Sequence, residues 1–236
     1  MISKIPKWVG DLFEGTLRPN ARVLEISNIS SRIKKIRFEG NISKMNFQIG
    51  YANVLRVSET EYRNYTAAYH DKEKGIIDII FHIHTNGVGS TYFDSLKTGD
   101  ETYIGPSRGK KIYDPSIKNQ FFFGDETSIG VACALLPLLR SNNQQFQFYF
   151  ELDRENKNVP ELLGFENFTV FPKDGSFRIE KWIIDLPIFT TKDWNNANFA
   201  LAGNVKSVQT FRKVLKNKTQ GNVYSQGYWL EGKKGL

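Results

Sequence analysis

Gln120–Arg140 reads QFFFGDETSIGVACALLPLLR. The first residues form a short apolar run that reads as a strand. Gly124 breaks it, Asp125 and Glu126 supply an acid-rich start, and apolar residues then recur at helical spacing. FQFYFEL at 146–152 is again a strand, so the order is strand, helix, strand. Parallel strands need such a crossover, and its hand is expected to be right-handed. Further on come NFTVF (167–171), FRIEKWIIDL (177–186) and NFALAG (198–203). KSVQTFRKVLKNK (206–218) places Val208, Phe211 and Leu215 on one helical face, with Arg212 and the lysines on the other. The second half therefore reads as α/β.

Towards the N-terminus the pattern changes. RVLEISNISSRIKKIRFEG (22–40) and FQIGYANVLRVSETEYRNYTAAYH (47–70) are short alternating runs broken by Asn, Ser and Gly, and periodicity shows no sustained helix between the first twenty residues and position 120. In KGIIDIIFHIHT (74–85) the period of two sends Ile77, Ile79, Phe81 and Ile83 to one face. Asp78, Ile80, His82 and His84 go to the other. The first half reads as antiparallel β. PSRGKKIYDPSIKNQ (106–120) is the natural boundary, so two domains are expected, 1–113 and 114–236.

A chain of 236 residues with 40% hydrophobic and 24% charged residues can bury a sizeable core without staples. The single cysteine, Cys133, excludes an intramolecular disulfide and cysteine-rich clusters, and fits a buried apolar role. The opening MISKIPKWVGDLFEGTLR has neither a signal-peptide core nor the length of a membrane span. It is expected to form a short helix packed through Trp8, Leu12 and Phe13. A cytoplasmic monomer is expected. The net charge of +7 favours anionic partners without choosing among them.

Arg63-Asn64-Tyr65-Thr66 lies in an extended run. Arg63 and Tyr65 then project to one side about 7 Å apart, twice the strand rise, which suits a phosphate beside a planar ring. Arg offers a charge-assisted fork, Tyr a flat surface and Thr66 a hydroxyl. Taken alone, such a pair is more often a surface strand pair than a cofactor site.

Arg63-x-Tyr65-Thr66 resembles the flavin-binding motif of the ferredoxin reductase superfamily, in its siderophore-interacting flavoprotein branch. The same branch is suggested by FHIHTNGVGSTYFDSLKTGDETYIGPSRG (81–109), FFFGDETSIG (121–130), LAGNVKSVQTFRKVL (201–215) and GYWLEG (227–232), in the family's order over nearly the whole chain. The resemblance implies an N-terminal antiparallel Greek-key flavin-binding barrel at 1–113, then a parallel-sheet, NAD(P)H-binding-like α/β domain at 114–236. It also implies a short helix after the histidine-containing strand.

Carried over by residue, the resemblance implies FAD as cofactor. Arg63 would hold its phosphate, Tyr65 pack on its ring and Thr66 bond near the reactive nitrogen, which makes Tyr65 and Thr66 the catalytic candidates. His84, Gly87, Gly89 and Ser90 would lie close to the flavin and its pyrophosphate, as glycines that admit backbone N–H groups and a helix start would favour. Gly124, Asp125, Glu126, Thr127 and Gly203 would face a nicotinamide donor. Two acidic residues in that turn, and the lack of a Cys-Gly-Pro after LAG, depart from many nicotinamide-dependent relatives. Arg154, beside Glu151 and Asp153, leaves NADH and NADPH both open.

The implied activity is flavin-dependent reduction of a ferric siderophore, with NADH, NADPH or ferredoxin as donor. The substrate is expected to be anionic, met by Lys233, Lys234, Lys110 and Lys111. No protein metal site is assigned, although His82 and His84 share a strand face. The alternatives are a flavin-dependent electron transferase serving a redox protein and, from another class, a basic β-barrel that stacks nucleic-acid bases.

Overall fold

The computed structural model describes residues 18–84 and 87–233. The expected helix around Trp8, Leu12 and Phe13, and the candidate Lys234, lie outside the described residues. The chain divides into two compact units, 1–110 and 111–234.

Alternating sequences in the first unit become β1 (Ala21–Asn28), β2 (Ile33–Gly40), β3 (Tyr51–Arg56), β4 (Tyr62–Tyr65), β5 (Ala67–Asp71), β6 (Ile76–His82), β7 (Glu101–Thr102) and β8 (Ile104–Gly109). They pair in two barrel-like antiparallel sheets, ordered β5-β6-β2-β1-β7 and β4-β3-β8. The pleat of β6 sends Ile77, Ile79 and Phe81 into a core shared with Val23, Ile36, Phe38 and Leu55. Each fully buried side chain of this kind contributes about 1.5 to 3 kcal/mol. On the other face Asp78 is buried, and its two oxygens accept from Nε and an Nη of Arg37 on β2 at 2.7 and 2.8 Å. Arg37 stands directly opposite Asp78 in the β2–β6 register, so the polar residue on that face serves a cross-strand ion pair.

Between β6 and β7 lies the eight-residue α1 (Val88–Ser95). A helix that short carries too few turns for periodicity to show it. Phe93 fixes its inner face by stacking on Phe81, with ring centroids 3.9 Å apart. Lys34 Nζ donates to the backbone oxygen and carboxylate of Asp94 at 2.9 and 2.7 Å, which ties β2 to the end of α1 where a cation suits the helix dipole.

The second unit runs β9 (Asn119–Gly124), α2 (Ile129–Ser141), β10 (Gln145–Leu152), α3 (Val159–Leu162), β11 (Phe168–Pro172), α4 (Glu180–Ile184), β12 (Asn198–Asn204), α5 (Val205–Lys218) and β13 (Asn222–Trp229). All five strands are parallel, in the order β11-β10-β9-β12-β13. The Phe run of β9 is explained by cover on both sides. Phe121 and Phe123 face the cluster of Phe177, Phe199 and Phe211, while Phe122 faces Phe148 and Phe150. FRIEKWIIDL alternates like a strand but folds as a 3₁₀ turn and α4, because Ile183 and Phe177 bury against α5 and not in a sheet. Chain order reverses between β9 and β12, so the carboxyl ends of these strands form the topological switch point where ligands of open α/β sheets bind.

Candidate flavin site and switch-point site

In the first unit the extended backbone of β4 carries Arg63 and Tyr65, and α1 passes close beside them. A Cβ placed on Gly89 would sit 2.6 Å from the Tyr65 hydroxyl oxygen and 3.2 Å from Arg63 Cγ. Only glycine admits so close an approach, and it brings the first turn of α1 against the Arg-x-Tyr pair. Gly87, the residue before α1, makes no side-chain cap, so the helix start has backbone donors for an external anion. A Cβ on Gly87 would meet the His84 ring at 2.5 Å. The Ser90 hydroxyl accepts from the His84 N–H and donates to the His84 carbonyl, both at 2.7 Å. Ser90 thus closes the loop, and its hydroxyl is engaged by backbone.

Arg63 donates to the Tyr62 carbonyl at 2.9 Å and pairs with Glu61 at 3.3 Å, contacts that orient the guanidinium and leave further N–H donors. The Tyr65 ring packs edge-on against Phe81 and Phe93 at 4.7 and 5.0 Å. Burial pushes its hydroxyl well above the ordinary tyrosine range, against the pull of the Arg63 charge, so it stays a neutral donor. Thr66 follows at the break between β4 and β5, partly exposed. Burial and the charge of Arg32 lower the His84 pKa, and the His82 and His84 rings share a face 5.8 Å apart.

At the switch point of the second unit, Asp125 is 1% exposed. Its Oδ1 accepts from the Thr127 N–H at 2.9 Å and the Thr127 hydroxyl at 2.5 Å. Its Oδ2 accepts from the Asn204 N–H at 2.8 Å and the Trp229 indole Nε1 at 2.7 Å. One carboxylate therefore braces the ends of β9, β12 and β13. Burial pushes the Asp125 carboxyl upward and neighbouring Glu126 adds to this, while Lys173, Thr127 and Trp229 pull back. Glu126, also 1% exposed, accepts from the Asp153 N–H at 2.7 Å and pairs with Lys173. Burial opposes the charge of Lys173, but Glu126 and Asp125 outweigh it and hold the pKa above its ordinary value. Glu151, at the end of β10, is pushed up to about 7 by burial.

Arg63, Tyr65 and Gly89 are thus brought together, with His84, Gly87 and Ser90 in the adjoining loop. Gly124, Asp125, Glu126, Thr127 and Gly203 meet at the switch point, but of these Asp125 and Glu126 turn inward and only Thr127 is exposed. Lys110, Lys111 and Lys233 are exposed and form no ion pair among the described residues. Sequence reasoning missed Trp229, Asn204 and Lys173. The signal for Trp229 was its place in the terminal GYWLEG, but nothing in the sequence named its partner.

The glycine cradle, the uncapped helix start and the adjacent arginine fit the phosphates of a flavin nucleotide. Residues 20–113 match the family model of the oxidoreductase FAD-binding domain. No curated protein matches the chain. In fold it is similar to the siderophore-interacting protein of Acinetobacter baumannii, at 18% identity and TM-score 0.72 over 91% of each chain. SipS of Aeromonas hydrophila, a siderophore-interacting protein, aligns at 16% identity and TM-score 0.71 over 92% of this chain and 94% of that one. Phthalate dioxygenase reductase aligns at 16% identity and TM-score 0.69, over 92% of this chain and 69% of its own. An FAD-binding barrel followed by a parallel five-stranded sheet is the ferredoxin reductase fold. No helix among the described residues is long and apolar enough to cross a membrane.

Proposed function

We propose that the protein is a flavin-dependent ferric-siderophore reductase that releases iron as Fe(II). The observation that carries this reading is the close approach of Gly89 to Arg63 and Tyr65 inside the FAD-binding domain. The likeness to siderophore-interacting proteins over nearly the full length supports the substrate class.

Arg63 and the first N–H groups of α1 bind the flavin phosphates, which Gly87 and Gly89 let approach. Tyr65, held rigid by Phe81 and Phe93, orients the ring system, and Thr66 bonds at its edge. FAD, when bound, would take up electrons in a pair or singly and release them singly, as Fe(III) requires. Reduction to Fe(II) lowers the charge that holds the hard oxygen donors of a siderophore, and the ion leaves. Lys110, Lys111 and Lys233 draw an anionic ferric chelate by screened attraction, strongest at low salt. The donor is reduced nicotinamide or a redox protein.

A second reading is an electron transferase serving a redox protein, favoured by the likeness to phthalate dioxygenase reductase. One experiment separates the readings. The purified protein is expected to be yellow, to release FAD on acid denaturation and, once reduced, to transfer electrons to a ferric siderophore, the Fe(II) being trapped by a ferrous-specific chelator. A colourless protein sinks both readings, and a reduced flavoprotein that leaves ferric siderophores untouched sinks the first.

A further inference from the structure

The switch point of a parallel α/β sheet binds the pyrophosphate of a dinucleotide through unpaired backbone N–H groups at strand-to-helix turns. Here six of those groups already have partners. After β9, the Asp125 N–H donates to the Ser128 hydroxyl at 2.9 Å, the Thr127 N–H to Asp125 Oδ1 at 2.9 Å and the Ser128 N–H to the Asp125 carbonyl at 2.9 Å. After β12, the Asn204 N–H donates to Asp125 Oδ2 at 2.8 Å, and the Lys206 and Ser207 N–H groups donate to Asn204 Oδ1 at 2.9 and 3.3 Å. Gly203, with φ 124°, leaves room for the carboxylate, since a Cβ there would lie 2.6 Å from Asp125 Cγ.

We infer that Asp125 determines donor specificity: its carboxylate occupies the anion position of the switch point and closes the second unit to the pyrophosphate of NADH or NADPH. Four donors converge on it, as they would on a phosphate oxygen. The surrounding charge acts in the same direction. Asp125, Glu126 and Asp153 cluster at the carboxyl ends of β9 and β10, with Lys173 as the cation between Glu126 and Asp153. A further dianion brought there is repelled. The donor is then a redox protein carrying one electron at a time. Two donor molecules are oxidised for each two-electron reduction of the cofactor, and solvent supplies the protons. This inference rests on the flavin reading above and narrows its donor.

The test uses the FAD-loaded protein. Inorganic pyrophosphate titrated calorimetrically is expected to give no saturable heat, and NADH and NADPH to leave the flavin oxidised under anaerobic conditions, while reduced ferredoxin bleaches it. Asp125→Ser uncovers the donors of Thr127, Asn204 and Trp229 and should give the saturable pyrophosphate heat that wild type lacks. A purely structural brace would not produce that gain. Reduction of the wild type by NADPH, inhibited by pyrophosphate, overturns the inference, as does a folded Asp125→Ser protein with no gain. If Asp125→Ser does not fold, the wild-type titrations decide alone. A protein without flavin defeats the functional reading instead, so the two failures are distinguishable.

Discussion

A Cβ on Gly203 would lie 2.6 Å from Oδ2 of Asp125, at a residue whose φ of 124° already excludes most side chains. The two residues are locked together, because Asp125 cannot withdraw without leaving the Asn204 N–H and the Trp229 indole unpaired. Gly203→Ala is expected to cost about 2 to 4 kcal/mol through backbone strain and displacement of the carboxylate. Urea denaturation checks this, with a lowered midpoint at unchanged slope as the expected result.

Arg37 and Asp78 supply an asymmetric pair. Asp78 is 4% exposed, whereas Arg37 reaches solvent. Arg37→Ala leaves a buried carboxylate without its partner and should cost on the order of 2 to 3 kcal/mol, discounted for the exposure of Arg37. Asp78→Ala leaves an arginine that can turn to water and should cost less. A double-mutant cycle reads the coupling, and equal single costs would contradict the assigned burial.

The Glu151 carboxyl is pushed up to about 7 from 4.5 by burial at the end of β10. Between these values the folded state holds a proton that the unfolded state has released. Stability is therefore present below about pH 4.5 and declines as pH rises through 7, by on the order of 3 kcal/mol. Glu151→Gln is expected to flatten this part of the profile relative to wild type. Parallel pH profiles of the two proteins would refute the assignment.

Arg63→Ala should weaken flavin retention by about 1.5 to 3 kcal/mol with the fold intact, because a charge-assisted contact is lost. Full occupancy after extensive dialysis would remove Arg63 from the site.

Gly89→Ala forces the Tyr65 hydroxyl or the start of α1 to move, since the two would stand 2.6 Å apart. The expected result is a shifted flavin absorption spectrum and weaker retention, with little change in melting temperature of the flavin-free protein. An unaltered spectrum would separate Tyr65 from the cofactor.

Several features were legible in the residues alone. QFFFG followed by an acid-rich helix start specified a short apolar strand and a parallel sheet, because local period and turn chemistry act within a few residues. The alternation in Ile76–His82 likewise assigned its inner face, and Arg63, Tyr65 and the glycines around α1 carried the flavin reading as a combined pattern. What tertiary structure decided was the partner of each polar group. The acids at 125 and 126 look in sequence like residues turned towards a ligand. Folding buries both, because Asn204 and Trp229, 79 and 104 positions away from Asp125, return to it with donors that satisfy its charge. Lys173, 47 positions from Glu126, does the same for its neighbour. Asp78, placed by the period of two on the face opposite Ile77, Ile79 and Phe81, proved to be the buried half of an ion pair with Arg37. Sequence period sets the side on which a residue emerges, whereas a buried charge persists only where distant chain segments supply its counter-charge and hydrogen bonds, and that pairing exists only in the assembled fold.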